Sequence, residues 1–261
     1  MAVHPGIFLY IERSLIALRS LIAYLVTLAY IAVAGPLGLF IGAVLKWKGG
    51  LYALGHGGVQ LALAMAGIRF TVSGREHVPA TAVVFCSNHE SNVDPPILFE
   101  ALHPQLHILY KAELHKFPIM GTIFDVGGFV PVDRSNRERS IGSIRRGAEA
   151  IRSGHSFLIF PEGTRGRGGE LLPFKKGGFI MAIESQAPIV PVAVHGGRAA
   201  MRKGSPWVRP VDVTVRIGAP IPTAGLTVDD RDALIAQVRS AIEAMLDENP
   251  KSQTREPGAH V

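Results

Sequence analysis

A histidine and an aspartate with four residues between them, His89 and Asp94, are the first residues in the chain that predict chemistry. A histidine with a carboxylate in reach can act as a general base, because the imidazole takes a proton from an attacking group while the carboxylate fixes its tautomer and stabilises the imidazolium. A non-catalytic interpretation also fits this spacing. Asp94 can cap the helix that follows, or complete a capping box with Ser91, and His89 is then an ordinary loop residue.

A second candidate segment, residues 160–165, reads Phe-Pro-Glu-Gly-Thr-Arg and ends a predicted strand. A glycine beside a hydroxyl and a guanidinium offers backbone N–H groups, an O–H donor and a bidentate fork, which together match a phosphate. An ordinary glycine turn with a solvated arginine is the alternative. Lys111 and Arg134 also follow predicted strands, where each would supply a cation to a phosphorylated ligand.

The elements that must position these residues alternate between short strands and helices from Arg69 onward. Strands are predicted at 70–72, 82–86, 108–111, 128–132, 157–160, 189–195 and 211–217. Helices are predicted at 137–153, at 176–184, after the Pro95-Pro96 pair and after Thr227. This alternation predicts an α/β fold with a mainly parallel mixed sheet covered by helices. Ligands of such folds bind at the carboxyl ends of the strands, where His89 and the 160–165 segment both fall.

Residues 20–45 contain no charged residue, which raises the question of a membrane. As one straight helix they would measure about 39 Å, more than the roughly 30 Å of a hydrocarbon core. The sequence Gly-Pro-Leu-Gly at 35–38 predicts an interruption. A single kinked transmembrane helix and a re-entrant hairpin both fit, and we favour the hairpin because positive residues flank both ends. A cleaved secretory signal fits less well, since the apolar run continues past its expected cleavage site at Ala34.

Length and composition bound the domain organisation. The 261 residues suit one sizeable domain with an appendage, and we divide them into a membrane-associated helical segment (1–68), a catalytic domain (69–248) and a disordered tail (249–261). Lys and Arg total 27 against 21 Asp and Glu, a net charge of +6 that favours anionic partners. Cys86 is the only cysteine, which excludes an intrachain disulfide and a zinc site built from cysteines.

Taken together, these segments resemble the four sequence blocks of the 1-acyl-sn-glycerol-3-phosphate acyltransferases in order and approximate spacing. The blocks correspond to Asn88-His89 with Asp94, then 129–134, 160–165 and 189–193. Residues 111–114 and 174–177 also look like that family, and the resemblance covers roughly 70–218. The second block departs from the commoner aromatic-Ile-x-Arg pattern by reading Val-Pro-Val-Asp-Arg, with its arginine in place.

The resemblance implies a reaction and a place for it. His89, oriented by Asp94, would deprotonate the sn-2 hydroxyl of lysophosphatidic acid, whose oxygen attacks the thioester of an acyl-CoA or acyl-carrier protein to give phosphatidic acid. Arg165 would pair with the acceptor phosphate, and Pro191 belongs to the block linked with the acyl donor. The implied substrate-binding residues are Asn88, Lys111, Arg134, Glu162, Gly163, Thr164, Arg165 and Pro191. Neither a metal nor another cofactor is implied. The implied location is the inner membrane, among membrane lipids, with the catalytic domain on its cytoplasmic face.

Rival enzymatic interpretations remain at this stage. Acylation of another lysolipid and hydrolysis of an acyl thioester both use the same types of residue. Cys86 lies three residues before His89, so a cysteine nucleophile is conceivable, although a small buried strand residue is the more ordinary interpretation. A metal cluster of His103, His107 and His115 is disfavoured because Pro104 spoils the helical pairing of the first two.

A non-enzymatic rival is a protein that binds anionic lipid or nucleic acid. A basic loop carries Trp207 among the cations Arg198, Arg202, Lys203 and Arg209. Aromatic residues are only 7% and no nucleic-acid motif or phosphate-binding P-loop is present, so we expect no nucleic-acid partner and expect the loop to meet anionic headgroups.

Overall fold

The computed structural model describes residues 5–102, 105–116, 118–133, 137–166, 170–202 and 204–248. Its helices are α1 (Pro5–Leu39), α2 (Lys48–Ala66), α3 (Asp94–Ala101), α4 (Pro118–Gly127), α5 (Arg137–Arg152), α6 (Gly177–Ser185), α7 (Gly197–Ala200) and α8 (Arg231–Asp247). Its strands are β1 (Ile68–Ser73), β2 (Val84–Ser87), β3 (His107–Lys111), β4 (Val130–Val132), β5 (Phe157–Ile159), β6 (Ile189–His195) and β7 (Val211–Ile217). The predicted site residue Arg134, His103 and the predicted tail 249–261 lie outside the described residues.

The seven strands form one sheet in the order β1-β7-β6-β2-β5-β3-β4. All neighbouring pairs are parallel except β6 with β7, which is antiparallel. The carboxyl ends of β6, β2, β5, β3 and β4 therefore meet at one edge, as predicted for the site. The predicted fold class, a mainly parallel mixed sheet covered by helices, is confirmed, and all seven predicted strands are present with ends shifted by a few residues.

Two apolar cores lie on opposite faces of this sheet. Because side chains alternate along a strand, Phe85 of β2 joins one core while Val84 and Cys86 join the other. The first core is covered by α2 and α3, and the second by α5, α6 and α8. All three of these β2 side chains are fully buried, as expected for a central strand covered on both faces. The end of β2 is therefore held firmly where His89 emerges.

The predicted interruption of the first helix at residues 35–38 is wrong. α1 continues through Pro36, and the irregular stretch comes after it, as a π-helical turn at Phe40–Val44. Proline removes one helical N–H group but leaves the rest of the hydrogen-bond ladder available, so a long helix can run past it. This turn has the hydrogen bonds of a π-helix, in which an N–H group donates to the carbonyl five residues earlier. The N–H of Leu45 donates to the carbonyl of Phe40 at 3.2 Å.

α1 and α2 form an antiparallel hairpin that packs on the α/β domain. The Arg19 Nε donates to the Met65 carbonyl at 3.0 Å, and the Tyr30 hydroxyl donates to the Leu54 carbonyl at 2.8 Å. Buried Tyr52 of α2 anchors the hairpin by donating to the Gly127 carbonyl at 2.9 Å. Among the described residues one helical stretch, Tyr10–Val44, is long and apolar enough to cross a membrane. The division of the chain at residue 68 stays a prediction.

Candidate active site

His89 and Asp94 form a tight corner between β2 and α3. Nδ1 of His89 lies 2.9 Å from Oδ2 of Asp94. Asp94 is fully buried, and the side chain of His89 is 15% exposed. An ionised carboxylate only accepts hydrogen bonds, so Nδ1 carries the proton of the neutral ring and Nε2 keeps the lone pair that can accept one from a substrate.

The same carboxylate oxygen also caps the corner. Oδ2 of Asp94 accepts the N–H groups of Glu90 at 2.6 Å and Ser91 at 2.7 Å. The Ser91 hydroxyl donates to the Met201 carbonyl at 3.0 Å, so only one half of the predicted capping box is present. Capping and orientation of the imidazole are thus compatible, because one buried oxygen serves both.

The 160–166 segment forms hydrogen bonds with the backbone of His89. Glu162, which is 4% exposed, accepts the His89 N–H at 2.8 Å through Oε1 and the Leu172 N–H at 2.9 Å through Oε2. The Gly166 N–H donates to the His89 carbonyl at 3.2 Å. The Phe160 ring stacks on the imidazole with centroids 4.3 Å apart. Glu162 therefore holds the corner, and its predicted contact with substrate stays a prediction.

The remaining residues of this loop lie close to a second basic side chain, that of Lys175. Gly163 has a left-handed φ of +68°, and a Cβ there would lie 2.7 Å from Nζ of Lys175. The Lys175 side chain thus lies directly over the loop, although sequence analysis noted it only as part of the 174–177 motif and gave it no role. Thr164 is exposed and Arg165 partly exposed beside it. Thr164 and Arg165 therefore belong to the loop that is bonded to His89, and Lys175 lies against that loop at Gly163.

Asn88 and Pro191 lie inside the sheet rather than at its edge. The Asn88 amide donates to the Val194 carbonyl at 2.9 Å and accepts the Val194 N–H at 2.7 Å, and the residue is 2% exposed. Pro191 is buried within β6, opposite Cys86 in the register. The contacts described for both residues hold β2 against β6, and their predicted substrate contacts stay predictions.

Lys111 lies at the outer part of the same edge. It ends β3, which is separated from β2 by β5, so it is roughly 10 Å from β2 at the usual strand spacing. Its side chain is 57% exposed and pairs with Glu113 at 3.1 Å. Arg134 would follow β4, the next strand outward, but lies outside the described residues. Topology brings Lys111 to the edge that carries His89 without fixing its side chain there.

Two residues that sequence analysis did not single out adjoin the corner. A Cβ on Gly197 would lie 2.5 Å from Oδ1 of Asp94 and 3.6 Å from Cβ of Ser91, so this position of α7 fits only glycine without a shift. Glu90 lies on the same side, and burial, followed by the charge of Asp94, raises the pKa of its carboxyl group. No sequence signal could have found the Gly197 contact, because it joins positions about a hundred residues apart.

The structure also bears on the rival interpretations. Cys86 is fully buried, and burial followed by the charge of Glu162 raises the pKa of its thiol. An inaccessible, protonated thiol is a poor nucleophile, so the conceivable cysteine nucleophile is wrong. Among the described residues no group of three or more His, Cys, Asp or Glu side chains could hold a metal ion. His115 instead lies 2.9 Å from the Tyr110 hydroxyl, and His103 is outside the described residues.

The site therefore offers a general base that is held by a buried carboxylate, beside a basic loop suited to an anion. Comparisons with known proteins agree with this chemistry. The sequence model of the family described as Acyltransferase matches residues 69–195. The 1-acyl-sn-glycerol-3-phosphate acyltransferase of Limnanthes douglasii is 35% identical over 208 residues, which cover 77% of this chain and 73% of that protein. The alpha enzyme of that name from Homo sapiens is 33% identical over 178 residues, covering 67% and 63%.

A solved structure agrees with the fold. The crystal structure of the 1-acyl-sn-glycerophosphate (LPA) acyltransferase from Thermotoga maritima superposes with a TM-score of 0.79, covering 92% of this chain and 98% of that one at 24% identity. That likeness supports the sheet and the helical hairpin together, since it extends far beyond residues 69–195. On the strength of the sequence relatives and the site geometry, the chain belongs to the 1-acyl-sn-glycerol-3-phosphate acyltransferase family.

Proposed function

We propose that this protein transfers a fatty acyl group from an acyl thioester to the sn-2 hydroxyl of lysophosphatidic acid, giving phosphatidic acid for phospholipid synthesis. The observation that carries the proposal is the 2.9 Å contact between His89 Nδ1 and the buried Asp94 carboxylate. It leaves Nε2 as the base at a sheet edge that also carries Arg165 of the 160–166 loop, with Lys175 against that loop.

The reaction needs one proton to be moved twice. Nε2 of His89 takes the proton of the sn-2 hydroxyl as its oxygen attacks the thioester carbonyl, and Asp94 stabilises the imidazolium that forms. Collapse of the tetrahedral intermediate breaks the carbon–sulfur bond. The imidazolium then returns the proton to the departing thiolate, which restores the neutral base and completes the ester.

The acceptor phosphate needs cations near the base. Arg165 lies on the loop that is bonded to His89, and Lys175 lies against that loop. Lys111 ends β3, and Arg134 comes after β4 in the sequence. A guanidinium can bind two phosphate oxygens at once, and so we assign the principal contact to Arg165. Gly163 and Thr164 add backbone and hydroxyl donors, whereas Asn88, Glu162 and Pro191 act through the positions they give to β2, the loop and β6.

Either acyl-CoA or an acyl-carrier protein can be the donor, because both present the same thioester to the attacking oxygen. A thiol is a good leaving group and needs little assistance from an acid. The proposal therefore requires no metal and no redox cofactor.

A lipid surface fits the apolar face of α1. Many of its large apolar side chains are exposed, among them Ile11, Leu15, Leu18, Leu25, Leu28, Val33 and Leu37. A contiguous apolar surface of this kind marks an interaction with lipid or protein, and both acceptor and product are lipids. We place the protein at the inner membrane with the α/β domain on the cytoplasmic face, held by the pair of helices α1 and α2.

A thiol-release assay on the detergent-solubilised protein tests the function. Initial rates would be compared with lysophosphatidic acid, glycerol 3-phosphate, lysolipids that lack a phosphomonoester, and no acceptor. We expect release to require lysophosphatidic acid, with one phosphatidic acid formed for each thiol. Equal release without an acceptor would identify a thioester hydrolase, a preference for another lysolipid would change the acceptor, and no release with any acceptor would leave a lipid-binding protein.

A further inference from the structure

The loop between α7 and β7 connects the long apolar helix to the catalytic corner. This loop, residues 201–209, is described except at Lys203. The N–H of Arg209 donates to the Ala200 carbonyl at 2.8 Å, which closes the base of the loop. Its far side carries Trp207, which is 45% exposed although it is among the largest apolar side chains. A tryptophan in this position is unexplained by the packing of the domain.

The far side of the loop is fastened to α1. The fully buried Ser20 hydroxyl accepts the Val208 N–H at 2.9 Å and reaches the Val208 carbonyl at 3.3 Å. The Tyr24 hydroxyl donates to the Pro206 carbonyl. Trp207 lies between these two bonded residues and is therefore beside the turn of α1 that carries Tyr24.

The apolar face next to the loop is well populated. Leu21, Leu25 and Leu28 follow one another at helical spacing around Tyr24, and between 51% and 62% of each is exposed. Tryptophan is enriched where a membrane meets water, since its ring is apolar and its N–H group is polar. The ring of Trp207 and this stripe of leucines are suited to one bilayer surface.

The charge of the loop complements an anionic surface. Residues 196–210 contain four basic residues and no acidic residue. Arg202 is exposed and Arg209 partly exposed, and in the part of the chain that the structure describes neither forms an ion pair. Each Lys or Arg close to an anionic leaflet strengthens binding by about fivefold.

The near side of the loop contacts the catalytic corner. The Ser91 hydroxyl donates to the Met201 carbonyl at 3.0 Å, and the Ser91 N–H donates to Asp94 at 2.7 Å. A single hydrogen-bonded path thus runs from the loop to the carboxylate that orients His89. Lipid contact by the loop would set the height of the corner above the bilayer, where the acceptor is presented.

We propose that the 201–209 loop is a second membrane contact, in which Trp207 enters the interface of an anionic bilayer beside α1 and Arg202 and Arg209 bind lipid headgroups. The proposal rests on the proposed function, because an enzyme whose acceptor is a membrane lipid must hold its active site close to the bilayer. Its tests measure lipid contact without turnover, so they can fail while acyl transfer stands, and acyl transfer can fail while they succeed.

Tryptophan fluorescence tests the contact directly, because the chain has only two tryptophans, Trp47 and Trp207. The variant Trp47→Phe leaves Trp207 as the only reporter in the full chain, reconstituted in nanodiscs of phosphatidylcholine and phosphatidylglycerol. With lipids brominated along the acyl chains we expect at least half of the Trp207 emission to be quenched. Val228→Trp, made with both native tryptophans changed to Phe, places a reporter at an exposed position before α8 and should stay unquenched. Trp207 emission as insensitive as that of this control would overturn the proposal.

A charge variant tests the headgroup contact. Arg202→Gln with Arg209→Gln should lower partition onto vesicles containing phosphatidylglycerol roughly 25-fold, about fivefold for each cation, and leave partition onto pure phosphatidylcholine unchanged. Arg145→Gln with Arg146→Gln removes the same charge from exposed positions of α5, on the opposite face of the sheet, and serves as the matched control. Equal effects of the two pairs, or an equal loss on both kinds of vesicle, would contradict a role for the loop cations.

Discussion

The His89 corner and the outer cation at the same sheet edge are held in opposite ways. At the corner, the ring and both backbone groups of His89 are engaged by Asp94, Glu162 and Gly166. Lys111, two strands away, is 57% exposed and forms an exposed ion pair with Glu113. Proton transfer fails when the base is misplaced by an ångström, whereas attraction between a cation and a phosphate falls off gradually with distance. Under the proposed function, buried bonds therefore hold the residue whose geometry decides the rate, and the exposed cation is one for which charge alone suffices.

Removal of the base should have the largest effect on turnover and tests the first half of this comparison. His89→Ala should lower kcat roughly 10³-fold, since general-base catalysis contributes about 10²- to 10⁴-fold. Initial thiol-release rates with lysophosphatidic acid measure it. His115→Ala changes an exposed histidine near Tyr110, and this control should keep normal rates. Near-normal turnover of His89→Ala, with unchanged melting temperature, would remove the mechanism proposed here.

Loss of the orienting charge comes next. Asp94→Asn keeps an oxygen for the Glu90 and Ser91 N–H groups but removes the negative charge that stabilises the imidazolium, and so kcat should fall about 10²-fold or more. Because the two side chains act as a unit, the double variant with His89→Ala should be no slower than His89→Ala alone. Full additivity of the two losses, or normal kcat for Asp94→Asn, would mean that Asp94 only caps α3.

A smaller effect on kcat is expected from a substitution at Gly197, which lies against Oδ1, the other oxygen of the Asp94 carboxylate. Gly197→Ala should lower kcat about tenfold with little change in acceptor KM, because the new methyl group would displace Asp94 from a 2.5 Å approach. Gly142→Ala is the matched control, since a Cβ at this partly exposed position of α5 meets only the tip of the Arg146 side chain at 3.6 Å. Michaelis–Menten analysis of both variants separates kcat from KM. A rise in KM at constant kcat would show that Gly197 lines the substrate site and does not position Asp94.

The cations should give the smallest effects and should differ from one another. Arg165→Ala should raise the acceptor KM roughly 10- to 100-fold, as expected for loss of a charge-assisted bond to phosphate, with kcat nearly unchanged. Lys111→Ala should raise it at most about fivefold, because exposed ion pairs contribute little. Measurement of KM at low and high salt sharpens the contrast, since the Lys111 effect should disappear as salt rises. Equal effects of the two variants would mean that the edge recognises phosphate by total charge alone.

Much of the site could be read from the sequence because its parts are local. His89 and Asp94 lie on one turn between a strand and a helix, so their spacing already placed them within hydrogen-bond reach. The 160–165 segment carried its glycine, hydroxyl and guanidinium within three consecutive residues. Strands were equally legible, since short apolar runs between turn residues describe a buried parallel sheet.

The errors and omissions arose where a long-range contact decides. The sequence at 35–38 predicted a break in α1, yet packing against α2 supports the helix through Pro36 and moves the irregularity to Phe40–Val44. The substrate contacts of Glu162 and Asn88 stay predictions, and the sequence did not reveal their described partners, the backbone of His89 and of Val194. Buried polar groups take the partners that folding brings to them, and their sequence neighbours do not reveal which these are.

By itself the sequence determined the fold class, the closeness of His89 to Asp94 and the family, because each depends on the pattern of apolar residues or on residues close together in the chain. Only the tertiary structure decided what holds that pair: the clamp of Glu162, the close approach of Gly197 to Asp94, and the path from α1 through the 201–209 loop to Ser91. These contacts join segments that are about 70 to 190 residues apart. Contacts between residues so far apart cost conformational entropy and are not favoured by the local sequence. They form only because the packed sheet and the α1/α2 hairpin bring these residues together.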